Sequence, residues 1–174
     1  MKESAKIAVS LTRSIAKEYG IDPDFHKNKD IHIHFPEGAV PKDGPSAGVT
    51  MVTALVSALS KRPVKRSVAM TGEISLRGKV LAIGGLKEKT MAAYAYGVSD
   101  VLIPRDNMRN LEDCDPEAIK GLNFIPCDSI NDVLKAALVP TLTSRSAKAT
   151  QNNDEALENI FITKERQNTQ TINC

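Results

Sequence analysis

The chain turns at one stretch rich in proline and glycine, residues 41–48, which read PKDGPSAG. Proline and glycine interrupt regular structure, so this stretch predicts a tight turn. The residues at 47–59 read AGVTMVTALVSAL and are apolar on nearly every side, a pattern typical of a helix buried all round. Ser46 is therefore expected at the N-terminal end of a buried helix, where backbone N–H groups point outward and can stabilise an oxyanion.

Two roles for Ser46 follow from that position. Serine is a favoured helix N-cap, because its hydroxyl accepts a hydrogen bond from a backbone N–H of the first turn. The same hydroxyl is a nucleophile once a base takes its proton. No residue next to Ser46 in the sequence can act as that base, so it must come from elsewhere in the chain.

A second glycine-rich stretch, GGLKEK at 84–89, opens a predicted helix over residues 86–96 that Gly97 closes. Lys89 then lies near the first turn, where the helix dipole disfavours a cation and burial would disfavour it further. A neutral amine is what a general base for Ser46 requires. The alternative is an ordinary solvated lysine on the surface of a helix.

Four motifs in order give the chain a family resemblance. They are PKDGPSAG at 41–48, TGEI at 71–74, LRG at 76–78 and GGLKEK at 84–89. Over about residues 1–138 the chain resembles the Lon proteases, ATP-dependent serine endopeptidases with a Ser-Lys dyad. The resemblance implies that Ser46 is the nucleophile and Lys89 the general base. Lys87 is the rival, but the family pattern places the dyad lysine last in the GGLKEK run.

Supporting roles are expected for two further residues. Thr71 is expected to hydrogen-bond the Lys89 amine and orient it, as the resemblance also suggests, whereas its alternative role is that of a strand-end threonine. Asp43 is either a salt-bridge partner of Lys89 or an ordinary Asx-turn residue, and the sequence does not choose between them.

The sequence IHIHF at 31–35 alternates and predicts a strand that ends at Pro36. His32 and His34 would share one face of that strand. Two histidines on one face suit a metal site, but no third ligand stands at metal-like spacing, so we expect a polar strand face near the active site and no metal. The resemblance places both histidines near the dyad without a settled role.

The resemblance also implies the architecture. We expect an α+β fold of the Lon proteolytic-domain type, related to the ribosomal protein S5 domain 2-like fold, over residues 1–139, and a polar, flexible tail over 140–174. The family's domain begins with strands before its first helix, whereas this chain starts at that helix, so those strands are expected to be missing. The ATPase and substrate-binding domains of the family lie upstream and are also not in this sequence.

Local signals predict the other elements. A stripe of Ile7, Leu11, Ile15 and Tyr19 predicts a helix over 3–19, with Gly20 as its C-terminal cap. Strands are expected at 67–71, 100–103 and 123–126, with a hairpin about Arg77-Gly78. The second of two short helices in 105–120 should start at Asp115-Pro116, and a capping-box-like start at Ser129 predicts a final helix to about residue 139.

Composition limits the function classes. Lys and Arg total 23 against 21 Asp and Glu, so the net charge of +2 argues against a nucleic-acid or acidic-lipid surface. Aromatic residues make up 4% and Trp is absent, so the core should be aliphatic. The three cysteines, Cys114, Cys127 and Cys174, form no disulfide framework and fit a reducing compartment. No run of about 18 apolar residues is present to span a membrane.

The region 72–80 is one residue out of register with a phosphate loop, so no nucleotide site is expected in this chain. ATP and magnesium would act through the family's ATPase domain alone, and no other cofactor is implied.

The resemblance further implies unfolded protein or peptide substrates and the degradation of misfolded or regulatory proteins. It also implies a homo-hexamer at full length and a cytoplasmic location, with the mitochondrial matrix as alternative. The competing hypothesis is a catalytically silent module of the same fold that serves assembly or binding, because a fold alone does not determine function.

Overall fold

The computed structural model describes residues 2–35 and 44–140. Helices and strands alternate irregularly along these two ranges. The helices are α1 (Lys2–Ile15), α2 (Phe25–Asn28), α3 (Gly48–Ser60), α4 (Leu86–Ala95), α5 (Pro116–Gly121) and α6 (Ile130–Ala137). The strands are β1 (Val68–Met70), β2 (Glu73–Ile74), β3 (Val80–Leu81), β4 (Asp100–Pro104) and β5 (Asn123–Cys127). The expected mixture of helix and sheet is therefore present.

Two small sheets organise the part of the chain that the structure describes. In the larger one β4 lies between β1 and β5, and both pairings are parallel. The chain crosses from β1 to β4 through the β2–β3 hairpin and α4, and from β4 to β5 through the 3₁₀ segment Arg105–Asp113 and α5. The hairpin is antiparallel and turns at Gly78, which has a φ of 79° that only glycine adopts freely.

The central strand β4 separates two hydrophobic cores, because its successive side chains point to opposite faces. Leu102 packs into the larger core, which the buried faces of α1, α3 and α6 complete. Val101 and Ile103 pack into the smaller core with α4 and α5. The buried members of both cores are mainly aliphatic, as the scarcity of aromatic residues predicts, and Phe25 is the aromatic residue among those that the structure describes as buried.

Several local predictions are confirmed. The first helix runs as α1 and continues as the 3₁₀ turn Ala16–Tyr19, and Gly20 caps it in the left-handed region with its N–H bonded to the Ala16 and Lys17 carbonyls. Asp115 is the N-cap of α5 through bonds from the N–H groups of Glu117 and Ala118. A full capping box of Ser129 and Asp132 begins α6.

Two predictions are wrong. Residues 31–35 form no strand, since no described segment pairs with them. Their alternation is still visible in the burial, because Ile31, Ile33 and Phe35 are part-buried and His32 and His34 are exposed. The helix α3 is not buried all round. Its residues Thr50, Ala54 and Ala58 recur every four positions and form one exposed edge, while the opposite side packs in the larger core. Within the described ranges, no helix is long and apolar enough to cross a membrane.

Candidate active site

Ser46 and Lys89, 43 positions apart in the sequence, line the same cavity, whose volume is about 440 Å³. Thr71 lines it as well. The rest of the lining is mainly small or aliphatic. It comes from the start of α3 and the 3₁₀ turn before it, from β1, from α4 and the turn after it, and from β4: Ala47, Thr50, Ala69, Met70, Ala92, Ala93, Tyr96, Val98 and Val101. The arrangement therefore brings a serine and a lysine to one mainly apolar cleft.

Hydrogen bonds to the Ser46 carbonyl and to the start of α3, all but one of them between main-chain groups, position Ser46. It lies half-buried in the 3₁₀ turn Pro45–Ala47, directly before α3. Its carbonyl accepts hydrogen bonds from the Gly72 N–H at 2.9 Å and from Thr71 Oγ1 at 3.3 Å. In return the Gly72 carbonyl accepts from the Val49 N–H at 3.2 Å. The end of β1 is thus bonded to both sides of the Ser46 turn.

The Ser46 side chain is not the cap of a helix. The N-cap of the 3₁₀ turn is Gly44 and that of α3 is Ala47, and neither position carries a side-chain capping bond. The capping role, which the sequence left open, is therefore not the one that the structure gives to Ser46. Its hydroxyl is free of that duty and lines the cavity.

A close approach of two backbones explains the glycine that follows. A Cβ added at Gly48 would lie 2.9 Å from the backbone nitrogen of Ile74 and 2.8 Å from its Cγ2. Real Cβ atoms do not approach backbone that closely, so α3 can start against β2 only with glycine at this position. This contact holds the start of the helix, and with it Ser46, against the hairpin.

Lys89 lies in the first turn of α4 and is half-buried. Its Nζ donates a hydrogen bond to the Gly84 carbonyl at 2.9 Å. The N-cap of α4 is Gly85, whose φ of 67° places it in the left-handed region. Lys87 is exposed and does not line the cavity with Ser46. It lines a smaller depression of about 210 Å³ together with Gly84 and Asn110.

The predicted supporting residues divide into three cases. Thr71 is 7% exposed and lines the cavity, but its Oγ1 bonds the Ser46 carbonyl instead of the Lys89 amine, so that expected contact is corrected. Asp43 lies outside the described residues. His32 and His34 are exposed and are not among the residues that line the cavity, so the described part of the chain does not bring them to Ser46.

The sequence analysis did not identify one residue that lies near the site. Asn107, in the 3₁₀ segment Arg105–Asp113, is 3% exposed and bonds both main-chain groups of Ile83, the residue before Gly84. No sequence motif marks it, because the residues it joins are 24 positions apart.

The fold and the cavity together define a class: a mixed helix-and-sheet domain with a serine and a lysine in one apolar cleft. Residues 1–140 match the family model of the Lon protease (S16) C-terminal proteolytic domain, and the chain belongs to that family. This finding confirms the resemblance inferred from the four motifs.

Similar proteins from bacteria agree. The chain is 57% identical over 138 residues to the Lon protease of Brevibacillus choshinensis, which covers 79% of this chain. It is 59% identical over 140 residues to the Lon protease of Clostridium acetobutylicum and 57% identical over 139 residues to Lon protease 1 of Bacillus subtilis (strain 168), each covering 80% of this chain. In each comparison the matched region spans 18% of the relative's own length.

Proposed function

We propose that this chain is a serine endopeptidase domain that hydrolyses peptide bonds through a dyad of Ser46 and Lys89. The observation that carries the proposal is that these two side chains, which come from different helix starts, line one cavity. A serine nucleophile needs a base within reach of its hydroxyl. Membership of the Lon proteolytic-domain family supports the same assignment.

The hydrogen bond of Lys89 suits the role of base. A neutral amine has two N–H groups and one lone pair. Donation of one N–H to the Gly84 carbonyl fixes the direction of Nζ and leaves the lone pair for the Ser46 hydroxyl. Lys89 takes the Ser46 proton as Oγ attacks the substrate carbonyl. The resulting ammonium then protonates the departing amine, and water hydrolyses the acyl-enzyme.

The developing oxyanion needs backbone donors. Two N–H groups at the start of α3 are already engaged, that of Gly48 with the Pro45 carbonyl and that of Val49 with the Gly72 carbonyl. We therefore assign an oxyanion contact to the N–H of Ser46. In the 3₁₀ turn the Ala47 N–H pairs with the carbonyl of the N-cap Gly44, whereas the Ser46 N–H has no earlier carbonyl of that turn to bond. This narrows the helix-start donors expected from the sequence to the N–H of Ser46.

The apolar walls of the cleft suit an aliphatic side chain of an unfolded peptide. For the whole protein we propose, as the family resemblance implies, an ATP-dependent protease with its ATPase domain upstream, in which six copies assemble and degrade misfolded or regulatory proteins. A cytoplasmic location, with the mitochondrial matrix as alternative, belongs to the same proposal. ATP and magnesium would act through that ATPase domain.

A serine-reactive fluorophosphonate probe tests the assignment. We expect the probe to add one covalent group to the wild-type chain, at Ser46, and none to Ser46→Ala. Ser10→Ala is the matched control, because Ser10 is an exposed serine on α1, and it should react like the wild type. Since Ser46 makes no capping bond, Ser46→Ala should change the free energy of unfolding by no more than about 0.5 kcal/mol. A folded wild-type chain that takes up no probe would favour the silent binding module instead.

A further inference from the structure

Both polar atoms of the Asn107 amide are hydrogen-bonded close to the site, through three bonds. Its Oδ1 accepts from the Ile83 N–H at 2.9 Å, and its Nδ2 donates to the Ile83 carbonyl at 2.9 Å. The second hydrogen of Nδ2 goes to Asn110 Oδ1, also at 2.9 Å. A buried polar side chain with every group satisfied holds its partners in one geometry. Asn107 therefore pairs with Ile83 as a neighbouring strand would.

Ile83, the residue that Asn107 holds, directly precedes Gly84, whose carbonyl accepts the hydrogen bond of Lys89. Ile83 is followed by Gly84, whose carbonyl accepts from Lys89 Nζ, and then by Gly85 in the left-handed region. A Cβ at Gly84 would meet nothing within 4 Å, so packing against the side of Gly84 does not fix this turn. Two consecutive glycines are also the most freely rotating pair that a chain can have. The Gly84 carbonyl keeps its direction only if the residue before it is held.

We propose that Asn107 is a positioning residue for Lys89: its bidentate bond to Ile83 sets the Gly84 carbonyl, and that carbonyl sets the Lys89 amine. Asn107 itself does not line the cavity and touches no reacting group. The consequence for hydrolysis rests on the proposed function, whereas the positioning of the amine does not.

Amine reactivity tests the positioning directly. Limited reductive methylation with formaldehyde, followed by peptide mass spectrometry, gives the labelling of Lys89 relative to its exposed neighbour Lys87. In the wild type Lys89 should react more slowly than Lys87, because its amine is half-buried and bonded to Gly84. In Asn107→Ala we expect a several-fold rise in the ratio. Val133→Ala, which opens the larger core on α6, is the control for general loosening and should leave the ratio unchanged.

An unchanged ratio in Asn107→Ala overturns the proposal, and so does an equal rise in Val133→Ala. If Asn107→Ala does not fold, Asn110→Ala replaces it. That change removes only the acceptor behind the Asn107 amide, so a smaller rise in the same direction is expected, and no rise overturns the proposal.

Peptide hydrolysis supplies the second measurement. Because Asn107 lies outside the cavity, Asn107→Ala should lower kcat and leave KM unchanged. A higher KM with unchanged kcat would mean that Asn107 shapes the cleft, which contradicts the proposal. If the wild-type chain hydrolyses no peptide, the proposed function fails, and the labelling ratio still decides whether Asn107 positions Lys89.

Discussion

The two helix starts that supply the site are built differently. At the start of α3, Ser46 is held by main-chain hydrogen bonds to the end of β1 and by the contact of Gly48 with Ile74. At the start of α4, the turn before Lys89 consists of two glycines, and a single buried side chain, Asn107, fixes the residue before them.

This difference separates rigidity from adjustability within one site. The position of Ser46 is set mainly by main-chain hydrogen bonds, which a side-chain substitution does not delete, with one further bond from the Thr71 hydroxyl. Lys89 has its position set by a bond to the Gly84 carbonyl, which moves if Ile83 moves. Substitutions on the Ser46 side should therefore act through steric displacement, and those on the Lys89 side through the orientation and chemistry of one amine.

The largest expected effect comes from the chemistry of Lys89. Lys89→Arg keeps the positive charge and most of the stem, but a guanidinium cannot give up its proton at working pH and cannot serve as base. We expect peptide hydrolysis to fall by about 10²–10⁴-fold with the fold intact, as is usual for loss of a general base. Steady-state cleavage of an unstructured peptide gives the rate, and circular dichroism checks the fold.

Lys87→Arg is the matched control for that measurement. Lys87 is two residues away on the same helix turn, is exposed, and does not line the cavity. It should keep nearly the wild-type rate. If Lys89→Arg is active and Lys87→Arg is inactive, the base is Lys87 and our assignment of Lys89 is wrong. Activity in both variants would rule out the dyad.

An intermediate effect is expected from the close contact on the Ser46 side. Gly48→Ala places a Cβ 2.9 Å from the Ile74 backbone, so α3 must move away from β2. We expect a loss of about 1–3 kcal/mol in the free energy of unfolding, the usual range for overpacking. Urea unfolding followed by circular dichroism measures it.

The matched glycine on the Lys89 side should behave differently. Gly84 has open space where its Cβ would lie and no positive φ, so Gly84→Ala should leave the free energy of unfolding unchanged or slightly higher. Equal losses in the two variants would contradict the distinction between a packed helix start and an open one.

The sequence predicts well what local chemistry determines. Gly20 in the left-handed region, the N-cap Asp115 and the capping box of Ser129 each depend on residues within four positions, so their signals are complete in the sequence. The strands expected at 67–71, 100–103 and 123–126 are present as β1, β4 and β5. Ser46 and Lys89, which the motifs single out, line one cavity, and their roles in catalysis stay a prediction.

What failed depends on partners that are distant in the chain. The alternation at 31–35 predicts a strand only if another strand pairs with it, and no described segment does. The exposed edge of α3 carries threonine and alanine, which hydropathy alone does not distinguish from a buried surface. Thr71 bonds the Ser46 carbonyl, 25 positions away, and no local pattern chooses between that acceptor and the Lys89 amine.

The smallest effect is expected in a third region, α6, which contributes no residue to the cavity and so separates stability from chemistry. Burial alone would raise the pKa of Asp132. Hydrogen bonds from the Ser129 hydroxyl and from the N–H groups of Ser129 and Asp128, together with the positive charge of Lys135, outweigh burial and lower the pKa. The ionised carboxylate therefore stabilises the folded state. This contribution is complete above the unfolded pKa of about 3.9 and disappears as pH falls through the lower folded value.

Asp132→Asn should remove the charged part of this capping box, with a loss of about 0.3–1 kcal/mol at pH 7, as for a charge at a helix N-terminus. Urea unfolding of both proteins at pH 7, 5 and 3 measures the difference, which should be constant between pH 7 and 5 and smaller at pH 3. Because α6 lies outside the cavity, the rate of peptide hydrolysis at pH 7 should not change.

A stability difference that stays the same at pH 3 would show that Asp132→Asn acts through packing or hydrogen-bond geometry and not through the lost charge. A fall in the rate of hydrolysis would show that α6 also supports the start of α3 or of α4. The contacts assigned to those two helix starts would then not be sufficient to hold them.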